Sequence, residues 1–181
     1  WSGNHCDPAH DVQNHVLLMR DLRAVLGNDY LLTYAAGVRQ PVNITGGKSY
    51  IDNKAVEKYV DFINIMTYDM ADPPYHHSAL YRSEITEKLC VSEAVEHHLE
   101  AGVPLSQLVM GMPFYGRGSK DYKGEQSFGK LCIDGAYEER WDTISLVPYL
   151  VDKEGSMVLA YENARSIAHK CEYILSKGLR G

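Results

Sequence analysis

Three short apolar runs without polar alternation constrain this chain more than any other feature: YLLTYAA at residues 30–36, FINIMT at 62–67 and LVMGM at 108–112. A strand with one wet face alternates polar and apolar residues, so a run that does not alternate reads as a strand covered on both faces. Helix-like segments lie between the runs. Parallel neighbours need such long crossovers, so strand, helix, strand, helix in this order implies a parallel sheet covered by helices. The pattern admits a doubly wound α/β sheet or a β/α barrel.

The helices are punctuated in the expected way. Asp7 and Pro8 open the first, with a cap oxygen and a pre-set first turn. Val12, Val16, Met19, Leu22 and Leu26 follow at steps of three and four, with Leu18 and Val25 beside them, and Gly27-Asn28 ends the helix. A second helix is predicted over 53–59, capped by Asp52 or Asn53, and a third over 92–101, stopped by Gly102. The last falls within 161–177, before Gly178, and a new apolar segment starts at Leu179. Residues 118–160 break the rhythm. They are rich in Gly, Lys, Asp and Tyr, too long for an ordinary connection, and read as a small inserted α+β module or functional loop.

Several function classes are disfavoured. Eighteen Lys+Arg against 24 Asp+Glu give a net charge of −6, and no long basic run is present, so nucleic acid is not an expected partner. No apolar stretch approaches the ~20 residues of a membrane span. The chain starts at Trp1 with no leader-like stretch, which implies either a removed leader or a piece of something longer. Cys6, Cys90, Cys132 and Cys171 are widely spaced without CxxC, which argues against structural zinc and reads best as mostly buried small hydrophobes. The TGGKS at 45–49 has Val42 where a phosphate-binding loop needs Gly. His76-His77 and His97-His98 are adjacent pairs, HExxH is absent, and structural roles are expected for them; no metal or cofactor is predicted. The triplet at 43–45 fits a glycosylation acceptor.

Two strand ends carry chemistry. FINIMTYD at 62–69 delivers Met66, Tyr68 and Asp69 at a carboxyl end, where parallel α/β folds place their sites. LVMGMPFYGR at 108–117 delivers Met112, Phe114, Tyr115 and Arg117. Aromatic platforms beside a multi-donor cation suit a sugar, which offers an apolar ring face and many hydroxyls.

These two segments resemble the sixth- and seventh-strand signatures of family-18 glycoside hydrolases, the chitinases and their relatives. YHHSALY at 75–81 is similar to the segment that follows the sixth strand, and Trp141-Asp142, VPYL at 147–150 and VLAY at 158–161 resemble the inserted module. The resemblance implies a partial (β/α)8 TIM barrel: residues 1–117 as part of the catalytic barrel, 118–160 as the α+β insertion, and 161–181 as the last barrel helix and the start of the eighth strand. The three apolar runs would be strands five, six and seven. A complete barrel needs about 250 residues, so strands one to four are expected before Trp1.

The resemblance further implies substrate-assisted, retaining hydrolysis of β-1,4-linked N-acetylglucosamine polymers, an exception to the two-carboxylate scheme. Tyr68 and Asp69 would be catalytic, Tyr68 donating to the acetamido oxygen and Asp69 either accepting from its N–H or contacting the sugar directly; Met66, Met112, Phe114, Tyr115 and Arg117 would bind substrate, with Tyr115 and Arg117 either on neighbouring sugars or orienting the acidic network. Partners would be chitin or N-acetylglucosamine oligosaccharides, and the substrate class implies a secreted or extracellular parent. The family's acid, a Glu ending a DxxDxDxE motif, has no counterpart in these residues, and Glu57, Glu84 and Glu87 read as solvated surface. The isolated chain is therefore expected to be weakly folded or poorly soluble, and inactive. A chitinase-like lectin is the alternative to an enzyme, and an unrelated doubly wound α/β protein the alternative outside the family.

Overall fold

A computed structural model of the chain describes residues 7, 10–39, 51–122, 126–127 and 136–181. Pro8, Cys6, Cys132, the triplet at 43–45 and the TGGKS at 45–49 lie outside the described residues. The chain forms two compact units: one comprises Trp1–Met66, Ala94–Met110 and Ile174–Gly181, the other Thr67–Glu93 and Gly111–Tyr173.

The first unit is built on a parallel sheet of three strands, β1 (Thr33–Ala36), β2 (Phe62–Ile65) and β3 (Leu108–Met110), in the order β1-β2-β3. Thr33 pairs with Phe62 and Ile63 with Leu108, which puts Ala36, Ile63, Ile65, Leu108 and Met110 on one face; all five are buried. Each large aliphatic among them contributes roughly 1.5–3 kcal/mol. The expectation of burial on both faces is corrected here. The opposite face, with Thr33, Phe62, Asn64 and Val109, is only half-buried, and Ala35 is exposed. The apolar run at 30–36 also yields a shorter strand, because Tyr30 and Leu31 stand exposed ahead of it. The Asp61 carboxylate fixes that entry. It accepts the Leu32 N–H at 2.7 Å and an Arg23 guanidinium N–H at 2.6 Å. These bonds hold its pKa below the usual carboxylate value.

Helix α1 (Asp11–Leu26) begins at His10 rather than at the Asp7-Pro8 pair, and its end at Gly27 is as expected. Of its apolar row only Met19 is buried, while Leu18, Leu22 and Val25 are exposed. Helical spacing defines an apolar face but does not supply the surface that covers it. Helix α2 (Asn53–Glu57) is capped by the Asp52 carboxylate, which accepts the Ala55 N–H. Helix α3 (Val91–Glu100) passes from one unit into the other, as does helix α4 (Ala164–Lys177). Beyond α4 the chain runs alongside β3: Arg180 N–H donates to Leu108 O at 3.0 Å, and Met110 N–H to Gly181 O at 2.8 Å.

The second unit holds an antiparallel sheet of four strands, β4 (Arg117–Gly118), β5 (Glu138–Asp142), β6 (Val147–Val151) and β7 (Met157–Ala160), in the order β4-β7-β6-β5. Its described part of residues 118–160 contains strands and no helix, so the helical component expected of an α+β module is not found among the described residues. Leu150, Val158, Leu159, Tyr122 and Tyr161 form its core. Gly116 lets the chain enter β4 close to β7, since a Cβ there would lie 2.9 Å from Leu159 Cδ1 and 3.1 Å from the Ala160 carbonyl oxygen. Cys90 is buried and Cys171 exposed, both as free thiols, so the expectation of burial fails at Cys171. Its place on the outer face of α4 leaves it uncovered.

Candidate active site

Tyr68, Asp69, Tyr115 and Arg117 meet within the second unit. Asp69 follows β2 by four residues and adopts φ 57°. That left-handed conformation is uncommon for a residue with a side chain, although Asp tolerates it better than most. The loop that carries it is closed by the Met70 N–H, which donates to His77 O at 3.0 Å. The Asp69 carboxylate is 44% exposed and takes two partners on the same oxygen: the Tyr115 hydroxyl donates at 2.8 Å, and an Arg117 guanidinium nitrogen lies at 3.1 Å. Arg117 also donates from Nε to Asp72 at 2.6 Å. The Tyr68 ring stands edge-on to Tyr115, with centroids 6.4 Å apart.

Arg117 is placed by β4, where it pairs with Ala160 of β7. With Asp69 and Asp72 on one guanidinium, it gathers two carboxylates from the 67–78 loop. Each ion pair is exposed enough to contribute only about 0–1 kcal/mol, so its worth is geometric. Burial and the bond to Asp69 both raise the Tyr115 pKa, which keeps this phenol a donor.

Two residues outside the predicted site also belong to the cluster. His77 is buried, its ring 5.6 Å from that of Tyr115, and its Nδ1 lies 3.7 Å from the Asp69 carboxylate. Burial, together with the Lys170 ammonium, lowers its pKa to about 4, so it is neutral near pH 7. The other residue is Asp72, which anchors Arg117. The adjacent His pair splits between two partners, as neighbours along a chain do: His76 contacts the Asp142 carboxylate at 3.1 Å, and the Tyr149 ring lies 5.5 Å away. Asp142 also accepts the Ser83 hydroxyl at 2.7 Å and the backbone N–H groups of Ile144 and Ser145. Burial opposes its charge, but these donors outweigh burial and hold the carboxyl well below the usual range.

The other predicted sugar-binding positions are less engaged. Met112 is half-buried and Phe114 is 61% exposed on the stretch leading to Tyr115. Met66 belongs to the first unit and is exposed. Among the described residues, no group of three His, Cys, Asp or Glu side chains could hold a metal. The cluster thus offers phenol hydroxyls, a guanidinium and a half-exposed carboxylate along one loop edge. This donor and acceptor set suits an amide or a polyhydroxylated ring better than a metal.

The profile of the family described as glycosyl hydrolases family 18 matches residues 1–181. Chitinase A1 of Niallia circulans is 31% identical over 99% of this chain and 31% of its own length. Probable chitinase 2 of Drosophila melanogaster is 27% identical over 94% of this chain and 42% of its own length. Among solved structures, a chitinase from Bacillus thuringiensis superposes with a TM-score of 0.79 at 27% identity, covering 99% of this chain and 36% of that one. The Group IV chitinase of Ostrinia furnacalis, in complex with allosamidin, gives 0.76 at 26% identity, covering all of this chain and 56% of that one. The chain therefore spans about a third to just over half of these relatives. The likeness implies a TIM-barrel-type fold, and the α/β mixture of parallel and antiparallel sheets described above agrees with that class. Matched by the family profile along its whole length, this chain belongs to glycosyl hydrolases family 18.

Proposed function

We propose that the protein carrying this chain hydrolyses β-1,4-linked N-acetylglucosamine polymers, and that the chain supplies the half of the site that holds the acetamido group. The observation that carries this is the meeting of Tyr68, Asp69, Tyr115 and Arg117 at one cluster in a chain of this family. In the proposed mechanism the acetamido carbonyl oxygen of the sugar attacks its own anomeric carbon. The bond to the leaving oxygen breaks, and that oxygen takes a proton from a carboxylic acid. Water then adds to the anomeric carbon and opens the cyclic ion with retention, its proton going to the carboxylate left by the acid. The Tyr68 hydroxyl donates to the acetamido oxygen and Asp69 accepts from its N–H, while Tyr115 and Arg117 hold Asp69 in place and present polar edges to the neighbouring sugars. Phe114 and Met112 supply apolar surface.

The acid is supplied by residues beyond this segment, since the sequence contains no DxxDxDxE. The 181 residues alone are then inactive. The same reading divides the chain into a partial barrel at 1–117, an insertion at 118–160, and the last helix with the start of strand eight at 161–181. The bonds from residues 180 and 181 to β3 support the last of these. Export of the parent follows from a polymer too large to enter a cell.

The test is Tyr68→Phe in the protein that carries this chain, assayed on a fluorogenic chitobioside. Removing one preorganised donor is expected to lower kcat by about 10²-fold. An unchanged kcat refutes the acetamido role. A parent that binds N-acetylglucosamine oligomers without turning them over is the lectin instead.

A further inference from the structure

The loop bearing Tyr68 and Asp69 is closed at its neck by a buried ammonium. Lys170, on α4, is fully buried. Its Nζ donates to three acceptors: the Ser78 carbonyl oxygen at 2.6 Å, Ser78 Oγ at 2.6 Å and Glu162 Oε1 at 2.5 Å. An ammonium has three donors and no acceptor, so all its hydrogens are used. Because Ser78 Oγ accepts from Lys170, its own proton must point elsewhere. It points to the Thr67 carbonyl oxygen, 2.7 Å away. That carbonyl belongs to the peptide joining Thr67 to Tyr68. Thr67 is tied a second time, through its own hydroxyl, to Gly111 O at 2.6 Å.

A buried ion pair is a poor way to gain stability, since well-packed apolar residues of the same volume often do better. Its distinctive effect here is directional. The ammonium sets the orientation of one hydroxyl, and that hydroxyl sets one peptide plane.

We propose that Lys170, with Glu162 as its counter-ion, is a positioning residue for Tyr68 and Asp69, acting through the Ser78 hydroxyl on the Thr67–Tyr68 peptide. The catalytic consequence rests on the function proposed above; the mechanical one does not. Small displacements of groups that bind a transition state cost rate more than ground-state binding.

The experiment compares Ser78→Ala with Ser83→Ala in the protein that carries this chain. The Ser83 hydroxyl bonds Asp142 and makes no bond to Thr67. Two readouts are taken: amide hydrogen exchange at Met70, and kcat and KM on a fluorogenic chitobioside. S78A is expected to speed exchange at Met70 by about tenfold or more, and to lower kcat by about tenfold with KM within about twofold. S83A is expected to do neither. Lys170→Met combined with Glu162→Gln should reproduce the S78A pattern, and it carries the test if S78A does not fold. Exchange at Met70 that is unchanged in S78A, or raised equally in S83A, overturns the positioning role, as does a kcat that survives faster exchange. If S78A alone loosens Met70 in a protein that turns over no chitobioside, the positioning stands and the proposed hydrolysis fails.

Discussion

Replacing Lys170 by Met removes one member of a pair in which both side chains are at most 1% exposed and Nζ lies 2.5 Å from Oε1. At an effective dielectric of about 20 the gross attraction is about 7 kcal/mol. Desolvating two ions costs several kcal/mol each, so the intact pair is close to neutral for stability. Burial indeed lowers the Lys170 pKa despite the Glu162 carboxylate beside it. The single substitution is a different matter. It leaves the Glu162 carboxylate buried without its counter-ion, which costs about 3–5 kcal/mol, a large share of the ~5–15 kcal/mol that holds a typical domain together. Adding Glu162→Gln removes the stranded charge and leaves mainly the lost bonds to Ser78, about 1–3 kcal/mol. The double variant should therefore be more stable than the single one. Urea unfolding of the protein that carries this chain measures both from midpoints at constant slope. A single variant within about 1 kcal/mol of the parent, or a double variant no more stable than the single, refutes the reasoning.

Two further outcomes are expected. His77, with its pKa lowered to about 4 from an ordinary 6.5, should still be neutral at pH 5 by ring NMR, and a midpoint near 6.5 would contradict its burial. The unfolded chain binds that proton more readily, so the stability this group contributes is complete above about pH 6.5 and is lost as the pH falls toward 4. Gly116→Ala places a methyl 2.9 Å from Leu159 Cδ1 and 3.1 Å from the Ala160 carbonyl oxygen. Overpacking of this kind should cost about 1–3 kcal/mol in thermal melting, whereas Gly37→Ala, with nothing within 4 Å, should stay within about 0.5 kcal/mol.

Local chemistry made much of this protein readable in one dimension. The runs at 62–67 and 108–112 became β2 and β3, the Asp52 cap formed, and the Gly stops after α1, α3 and α4 stand at the helix ends, because these features depend on residues within a few positions of one another. Tyr68, Asp69, Tyr115 and Arg117 could be picked out as candidates because they follow the apolar runs at 62–67 and 108–112. The cover of α1 was not, since spacing gives a face and says nothing of its partner.

What tertiary structure alone decided is who answers whom. Asp72 and His77 joined the site through contacts with Arg117, Asp69 and Tyr115 some 40 positions away or across a tight loop, and Lys170 reached Ser78 over 92 positions. Burial decided the charge states as well. Nothing in the sequence marks Lys170 as an interior ammonium or His77 as a neutral ring, because desolvation and hydrogen-bond direction exist only once distant segments have closed around them.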